Sequence, residues 1–348
     1  MYKITTVTSI DKQFIKEWQD LWKKAQNSTI YNSYEWFMTS LETGQNKEYE
    51  ILTCYQNSNL VFVLPLQKYK VFGIKVLGTI NKDHLVDTAF LAEKYDKRLY
   101  KAVFATLLKK NIYFQKVDEK DVKIIHSLFP SLFFSLISVN PLMDYSNGPY
   151  DTVTPSTISQ IQRIIKKNPG LHFEIYSDNL DIHMKTMFRL HDVSSKKVRS
   201  MDIFEDKQVK KYYVALTKNF TSTMRICFLY LDETPIAYQY GFMYRDIFAG
   251  DQIGYHNDYK KLRPGKTIIY YMADYFYKNN IRVLDQGGGI SEYKMEFAKS
   301  FRSLYNLYYS PNMFVMFWWK TINKLRRFKQ VRFPKKFTRD HEFLFTTL

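Results

Sequence analysis

Two stretches of the 348-residue chain place chemically capable side chains at short spacing. The first is Gly254-Tyr-His-Asn-Asp-Tyr-Lys-Lys-Leu-Arg-Pro-Gly-Lys-Thr267, which lies between a strand-like run and a helical pattern. A Pro-Gly pair that opens a helix leaves N–H groups unpaired at the positive end of the helix dipole, an arrangement suited to phosphate or pyrophosphate. Lys260, Lys261, Arg263 and Lys266 add charge there. Gly265-Lys266-Thr267 is not the end of a nucleotide P-loop, because that motif needs Gly where this chain has Lys260. The same residues would also serve simply to begin a helix with solvated cations.

The second stretch is Ile281-Arg-Val-Leu-Asp-Gln-Gly-Gly-Gly-Ile-Ser-Glu-Tyr-Lys-Met-Glu-Phe297, an acid and three glycines directly after a short strand. Adjacent glycines cost chain entropy unless the backbone must turn tightly or approach something closely. They do not form a dinucleotide fingerprint, since Glu292 stands where the third Gly would be.

The elements around these stretches follow from periodicity. Asp11–Gln26 carries Phe14, Ile15, Trp18, Leu21 and Trp22 at helical spacing, and a short helix is expected near 33–43. Strand patterns at 49–55, 60–66 and 70–77 form a meander, with a break expected at Gln67-Lys68-Tyr69. A helix at 96–109, a strand at 112–117, a helix at 119–127 and a strand at 132–139 follow. A Pro/Gly/Asn-rich patch at 140–149 marks a boundary. The order then repeats: helices at 156–167, 180–197 and 205–218, a meander at 224–231, 236–243 and 247–255, a helix at 266–279, a strand at 281–284, a helix at 292–299 and a strand at 304–309. No residue-level repeat aligns, so the duplication rests on element order.

With these elements in place, three segments resemble the GNAT acyltransferase superfamily: Leu231-Asp-Glu-Thr-Pro-Ile-Ala-Tyr238, Tyr259 to Gly265, and Asp285 to Lys294. More narrowly the chain looks like the FemAB-like branch and its relatives in polysaccharide operons, which pair two GNAT-like domains. Tyr31-Asn-Ser-Tyr-Glu-Trp36 resembles a segment of that branch's first lobe. The resemblance implies an α/β (α+β) fold of two tandem GNAT-like domains, each a mixed, centrally antiparallel sheet flanked by helices. The limits expected are 1–148, 149–312, and a basic aromatic tail at 313–348. One departure stands out. Acetyl-CoA users commonly show Arg/Gln-x-x-Gly-x-Gly/Ala at the pyrophosphate loop, whereas here Leu262 takes the first place and Thr267 the last.

The activity implied is acyl transfer, in the first instance acetyl from acetyl-CoA or another acyl-CoA, to an amine. The donor would meet Tyr255, Lys260, Arg263, Pro264, Gly265, Lys266 and Thr267. An attacking amine must be neutral, so its proton needs an acceptor, and the oxyanion and departing thiolate need donors. Candidate bases are His256, Asp285 and Glu292; Lys294 matches a Tyr-Lys position held in Fem-like relatives to stabilise charge; Tyr293 or Tyr255 would protonate the thiolate. Asp83, His84 and Asp87 are too few and too poorly aligned for metal and read instead as acceptor-binding groups, with Tyr34 and Trp36 beside them in the substrate role. No metal is expected. The acceptor implied is a small-molecule amine, an amino sugar, free or nucleotide-linked, for cell-envelope polysaccharide. The alternatives are Fem-type aminoacyl transfer from charged tRNA to a peptidoglycan precursor, and a non-enzymatic basic scaffold or nucleic-acid binder.

Charge bears on that choice. The chain has 51 Lys+Arg against 34 Asp+Glu, a net +17, but nine cations sit between Lys320 and Arg339 with no acid among them. A broad basic face for nucleic acid is therefore not indicated, and CoA is favoured over tRNA. Cys54 and Cys227 both lie in apolar runs, which suits a reducing cytoplasm. No secretory leader is expected, and the longest apolar run, Met313 to Trp319, falls short of the ~20 residues of a spanning helix. In the tail, Phe314, Phe317 and Trp318 are expected to pack on the domain, with the cations supplying a weak peripheral attraction to a membrane.

Overall fold

The computed structural model describes all residues except 45–47, 81–89, 152, 195–202, 290, 299 and 331–348. The chain divides into two compact units, residues 1–139 with 303–348 and residues 140–302. The first begins with β1 (Tyr2–Val7), α1 (Lys12–Lys24), α2 (Tyr34–Thr43), β2 (Glu50–Gln56), β3 (Asn59–Val71), β4 (Ile74–Thr79) and β5 (Leu91–Ala92). It continues through α3 (Lys97–Leu107), β6 (Ile112–Asp118) and α4 (Glu119–Leu128) to β7 (Phe133–Asp144), whose last residues belong to the second unit. Asp11 starts α1 by accepting the Phe14 N–H, and Phe14, Trp18 and Leu21 are its buried face. The expected break at Gln67-Lys68-Tyr69 does not occur. β3 runs on to Val71 and turns at Phe72-Gly73, both with positive φ, the geometry of a two-residue hairpin loop for which Gly73 is suited.

The second unit contains α5 (Pro155–Lys167), β8 (Leu171–Tyr176), α6 (Leu180–Asp192), α7 (Lys207–Asn219), β9 (Met224–Leu231), β10 (Thr234–Tyr244) and β11 (Ile247–Tyr255). After a 3-10 turn at Asn257–Leu262 come α8 (Pro264–Lys278), β12 (Val283–Asp285) and α9 (Glu292–Phe297). β13 (Ser300–Tyr309) returns to the first unit, which closes with α10 (Met313–Gln330).

The strand order of the first unit is β1-β2-β3-β4-β6-β13, and that of the second is β8-β9-β10-β11-β12-β7. Pairing follows the same rule in both: three antiparallel contacts, one parallel contact (β4 with β6, β11 with β12), then one antiparallel contact. The repeat of element order is thus a repeat of topology, a mixed sheet with helices in each unit. The expected limits at 148 and 312 move to 139 and 302 for a pairing reason: Leu142–Asp144 bonds β12, whereas Leu304–Tyr309 bonds β6. Three strands are absent from the sequence expectations: β1 and β8, each of which leads its unit's meander, and the two-residue β5.

The tail also differs from expectation. Its start is helix α10, which buries Asn323 and Trp319, the latter fully enclosed against Tyr308 at 5.8 Å between rings. Phe314, Phe317 and Trp318 face outward. Burial of Phe228, Tyr238, Tyr240, Phe242 and Phe248 on the second meander, and of Ile268, Met272 and Phe276 on α8, gives that unit the rigid floor on which its loops stand.

Candidate functional site

The second unit's sheet opens at one defined point. β11 and β12 pair in parallel at only three positions, Ile247 with Val283, Phe248 with Leu284 and Ala249 with Asp285, after which β11 runs on for six residues to Tyr255. The register of β10 against β11 slips at the same level: Tyr240 faces Gln252 and Gly241 faces Gly250, which leaves Asp251 as an extra residue. A bulge of this kind takes a backbone unit out of the ladder and re-aims it. The Asp251 carboxylate accepts the buried Tyr213 hydroxyl at 2.9 Å and the Gln252 amide at 3.2 Å. Tyr213 is held protonated, first by burial and then by that carboxylate.

The glycine turn after β12 is built to pass close to this opening. Gly287 has φ of +71°, and a Cβ there would come within 2.6 Å of the Gly250 carbonyl. Asp285 organises the turn: its Oδ1 accepts the Gly287 N–H at 2.9 Å and the Asn140 amide at 3.2 Å, and its Oδ2 takes the Arg302 guanidinium at 2.7 Å. Lys294, 9% exposed, reaches back from α9 and donates to the carbonyls of Gln286 at 2.6 Å, Gly288 at 3.1 Å and Gly287 at 3.2 Å. Asp285 fixes the amides of the turn, and Lys294 fixes its carbonyls.

The phosphate-type loop follows β11. His256 caps the 3-10 turn, its Nδ1 accepting the Asp258 N–H at 3.3 Å, so the ring's other nitrogen carries the proton of the neutral form. Arg263 sits in the left-handed region at φ 49°, Pro264 takes the first helical position, and α8 has no side-chain cap. Thr267 is fully buried and donates to the Leu262 carbonyl at 3.0 Å. Lys266 is engaged by Glu296, both carboxylate oxygens lying 2.7 Å from its ammonium, and Arg263 donates to Gln160. Lys260 and Lys261 are exposed. Tyr255 lies 3.7 Å from a Cβ position on Gly265, and Tyr255 and Tyr293 both pack against the unit's core. Burial pushes the Tyr293 hydroxyl up to about 12, with Ser291 opposing and Tyr255 adding to the rise.

The structure therefore brings Tyr255, His256, the 260–267 loop, Asp285, Tyr293 and Lys294 onto neighbouring connections of one unit. Glu292 begins α9, and its side chain lies outside the described set; Asp83, His84 and Asp87 lie outside the described residues altogether. Tyr34 and Trp36 belong to the first unit's aromatic packing: Tyr34 meets Trp18 edge-on at 5.7 Å, and Trp36, 3% exposed, meets Tyr31 at 4.8 Å. Asn140, Tyr213, Asp251 and Arg302 are parts of the site that sequence reading does not single out. Asn140 and Arg302 meet Asp285 from 145 and 17 residues away, and no local pattern announces either.

Residues 156–295 match the family model described as the acetyltransferase (GNAT) domain. The second unit is a GNAT acyltransferase domain. The chain as a whole is similar in fold to the FemX crystal structure, at 9% identity, with 92% of this chain and 100% of that one covered and a TM-score of 0.62. A conserved protein of unknown function from Bacteroides thetaiotaomicron VPI-5482 gives 9% identity, coverage of 88% and 100%, and a TM-score of 0.59. L-PGS from Bacillus licheniformis gives 12%, 87% and 93%, and 0.53. At such identities these likenesses concern fold. No curated protein sequence matches. Among the described residues of the GNAT domain and its companion unit there is no cluster of His, Cys, Asp and Glu placed to hold a metal, and no helix is long and apolar enough to cross a membrane.

Proposed function

We propose that the chain is an N-acyltransferase that takes its acyl group, acetyl in the first instance, from an acyl-CoA and passes it to an amine of a small acceptor of the amino-sugar class. The observation that carries this reading is the parting of β11 from β12 at Gly250, one residue before the Asp251 bulge and ahead of the uncapped start of α8. An extended ligand with amide groups can add along a strand as another strand would, and β11 beyond its last contact with β12, from Gly250 to Tyr255, is the stretch we assign to it. The backbone at Asp251, displaced from the ladder, supplies polar groups for the thioester carbonyl and the oxyanion that forms from it. Lys260, Lys261 and Arg263 at the start of α8 supply charge for the pyrophosphate.

The residues divide the reaction by their bonding. A neutral amine nitrogen attacks the thioester carbon, the C–N bond forms, and the C–S bond breaks. Tyr293, protonated at neutral pH, serves as proton donor to the departing sulfur. Asp285, with Gly287, Asn140 and Arg302 already on its carboxylate, and His256, with Nδ1 on the Asp258 N–H, hold loops rather than accept the amine's proton. That proton passes to water at the open strand edge. Lys294 and Asp285 act by fixing the glycine turn.

Calorimetry with CoA tests the donor. Wild type should bind at about 1–100 µM, and Lys260→Ala/Lys261→Ala/Arg263→Ala should weaken binding at least about tenfold, equivalent to ~1.4 kcal/mol. Lys266 is left intact because Glu296 already engages it. Absence of binding at millimolar CoA sinks this reading. The fold shared with FemX and L-PGS favours a second one, aminoacyl transfer with tRNA as donor, which RNase sensitivity of the transfer reaction would identify.

A further inference from the structure

Helix α10 presents an apolar face that nothing in its own unit covers. Met313 is 82% exposed, Phe314 86%, Phe317 73% and Trp318 51%, and these four fall within six consecutive residues. The opposite face is committed: Trp319 is enclosed, Asn323 accepts the Tyr308 hydroxyl at 3.1 Å, and Val315 and Met316 pack beside them. The helix cannot roll its aromatics inward without expelling Trp319. Asn312 fixes its start by accepting the Phe314 N–H at 2.9 Å. Four such side chains offer on the order of 500 Å² of apolar surface, taking about 150–250 Å² for each aromatic, and soluble proteins rarely leave so large a patch bare.

We propose that this face docks on the surface of an anionic lipid bilayer, with α10 lying in the plane of the interface. Charge selects the occupant. From Met313 to Arg339 the sequence has nine Lys and Arg and no Asp or Glu, and the exposed Lys324, with Lys320 over the Phe133 ring at 5.8 Å, begins that run where the aromatics end. Aromatic side chains that include Trp settle at the level of the headgroups, and adjoining cations gain from an anionic surface within a Debye length. A protein partner would need a matching acidic surface as well as an apolar one, whereas a bilayer rich in anionic lipid provides both together. Neither α10 nor this argument depends on which donor the GNAT domain uses.

Sedimentation of the full chain with vesicles tests it, using phosphatidylcholine alone and phosphatidylcholine with about one-third phosphatidylglycerol. The expected result is at least about tenfold tighter binding to the anionic vesicles, weakened severalfold as salt rises from ~0.1 to ~0.5 M. Phe314→Ser/Phe317→Ser/Trp318→Ser should lose about tenfold or more in that binding while keeping the wild-type melting temperature, because all three side chains are exposed. Lys320→Glu/Lys324→Glu, a charge change on the same helix, should reduce binding to anionic vesicles only. Equal affinity for both vesicle types overturns the proposal, as does unchanged binding by the triple variant. A wild-type dimer in gel filtration that the triple variant converts to monomer also overturns it, and makes this face a contact between copies of the chain.

Discussion

Replacing Lys294 separates a residue that shapes the glycine turn from one that acts on the reacting atoms. Its ammonium, almost wholly buried, donates at 2.6, 3.1 and 3.2 Å to three successive carbonyls. Hydrogen bonds from a charged donor contribute about 1.5–3 kcal/mol each, so the three amount to roughly 4–9 kcal/mol before any offset. Against this, Lys294→Met removes the several-kcal/mol penalty of burying a charge, and the Gly288 carbonyl is only part-buried and within reach of water. The net loss expected is about 2–4 kcal/mol. At ~2–4 °C per kcal/mol for a unit of this size, the second unit should melt about 4–16 °C lower by calorimetry. CoA affinity should fall with it, since Gly287 abuts the Gly250 carbonyl at the strand opening. If Lys294→Met melts within about 1 °C of wild type while kcat falls and KM holds, the reasoning is refuted, and Lys294 acts in the transition state instead.

Gly287→Ala should be at least as damaging, because its φ of +71° and the 2.6 Å approach to Gly250 oppose any side chain; circular dichroism melts and CoA titration would show it, and a neutral result would mean the turn is looser than its geometry. Tyr293 keeps its proton in the folded chain up to about 12 against an ordinary value of 10, so its stabilising contribution is complete below pH 10 and disappears as pH rises through 12. That difference corresponds to about 3 kcal/mol, and Tyr293→Phe should flatten the alkaline limb of stability measured by urea titration. Burial raises both thiols, Cys54 to about 11 and Cys227 further, so neither should react with a thiol reagent at pH 8 until denaturant is added. Calorimetry should return one CoA per chain, and two would show that both units bind it.

The element order and the two chemically dense loops were readable from local pattern, since meander, crossover helix and glycine turn each declare themselves within a dozen residues. What escaped was decided at long range. The strand Leu171-His-Phe-Glu-Ile-Tyr176 alternates with period two, yet only its partnership with β9 tells it from a loop edge. The Asp251 bulge is invisible in Ile247–Tyr255 alone, because a bulge is a relation between two strands. The partners of Asp285 and Lys294 escaped for the same reason. An acid and a lysine beside three glycines suggest a base and a cation at the chemistry, and nothing local shows that Arg302, Asn140 and three backbone carbonyls are their partners. Helix α10 was not among the expected elements, and of the adjacent Trp318 and Trp319 the domain buries the second, against Tyr308, where the first was expected to pack.

The two units repeat one topology, residues 156–295 of the second match the acetyltransferase model, and the strand pairings of the two differ at one place. Both units place a parallel contact after a three-stranded meander, but the strand that overruns the contact in one does not in the other. β4 meets β6 at Leu77 with Ile112 and Gly78 with Tyr113, one residue short of its end at Thr79, whereas β11 continues six residues past its last contact. The β3–β4 register is unbroken from Leu66 to Val71, so no residue is displaced there as Asp251 is between β10 and β11. Tyr69 closes the corresponding place, its hydroxyl donating to the Tyr113 carbonyl at 3.3 Å and its ring standing where a side chain on Gly78 would go. At the corresponding place one sheet carries the Tyr69 ring over Gly78, and the other the close approach of Gly287 to Gly250. The element order is common to both units, whereas local register and side-chain size at that point differ between them, and the proposed donor position rests on that difference.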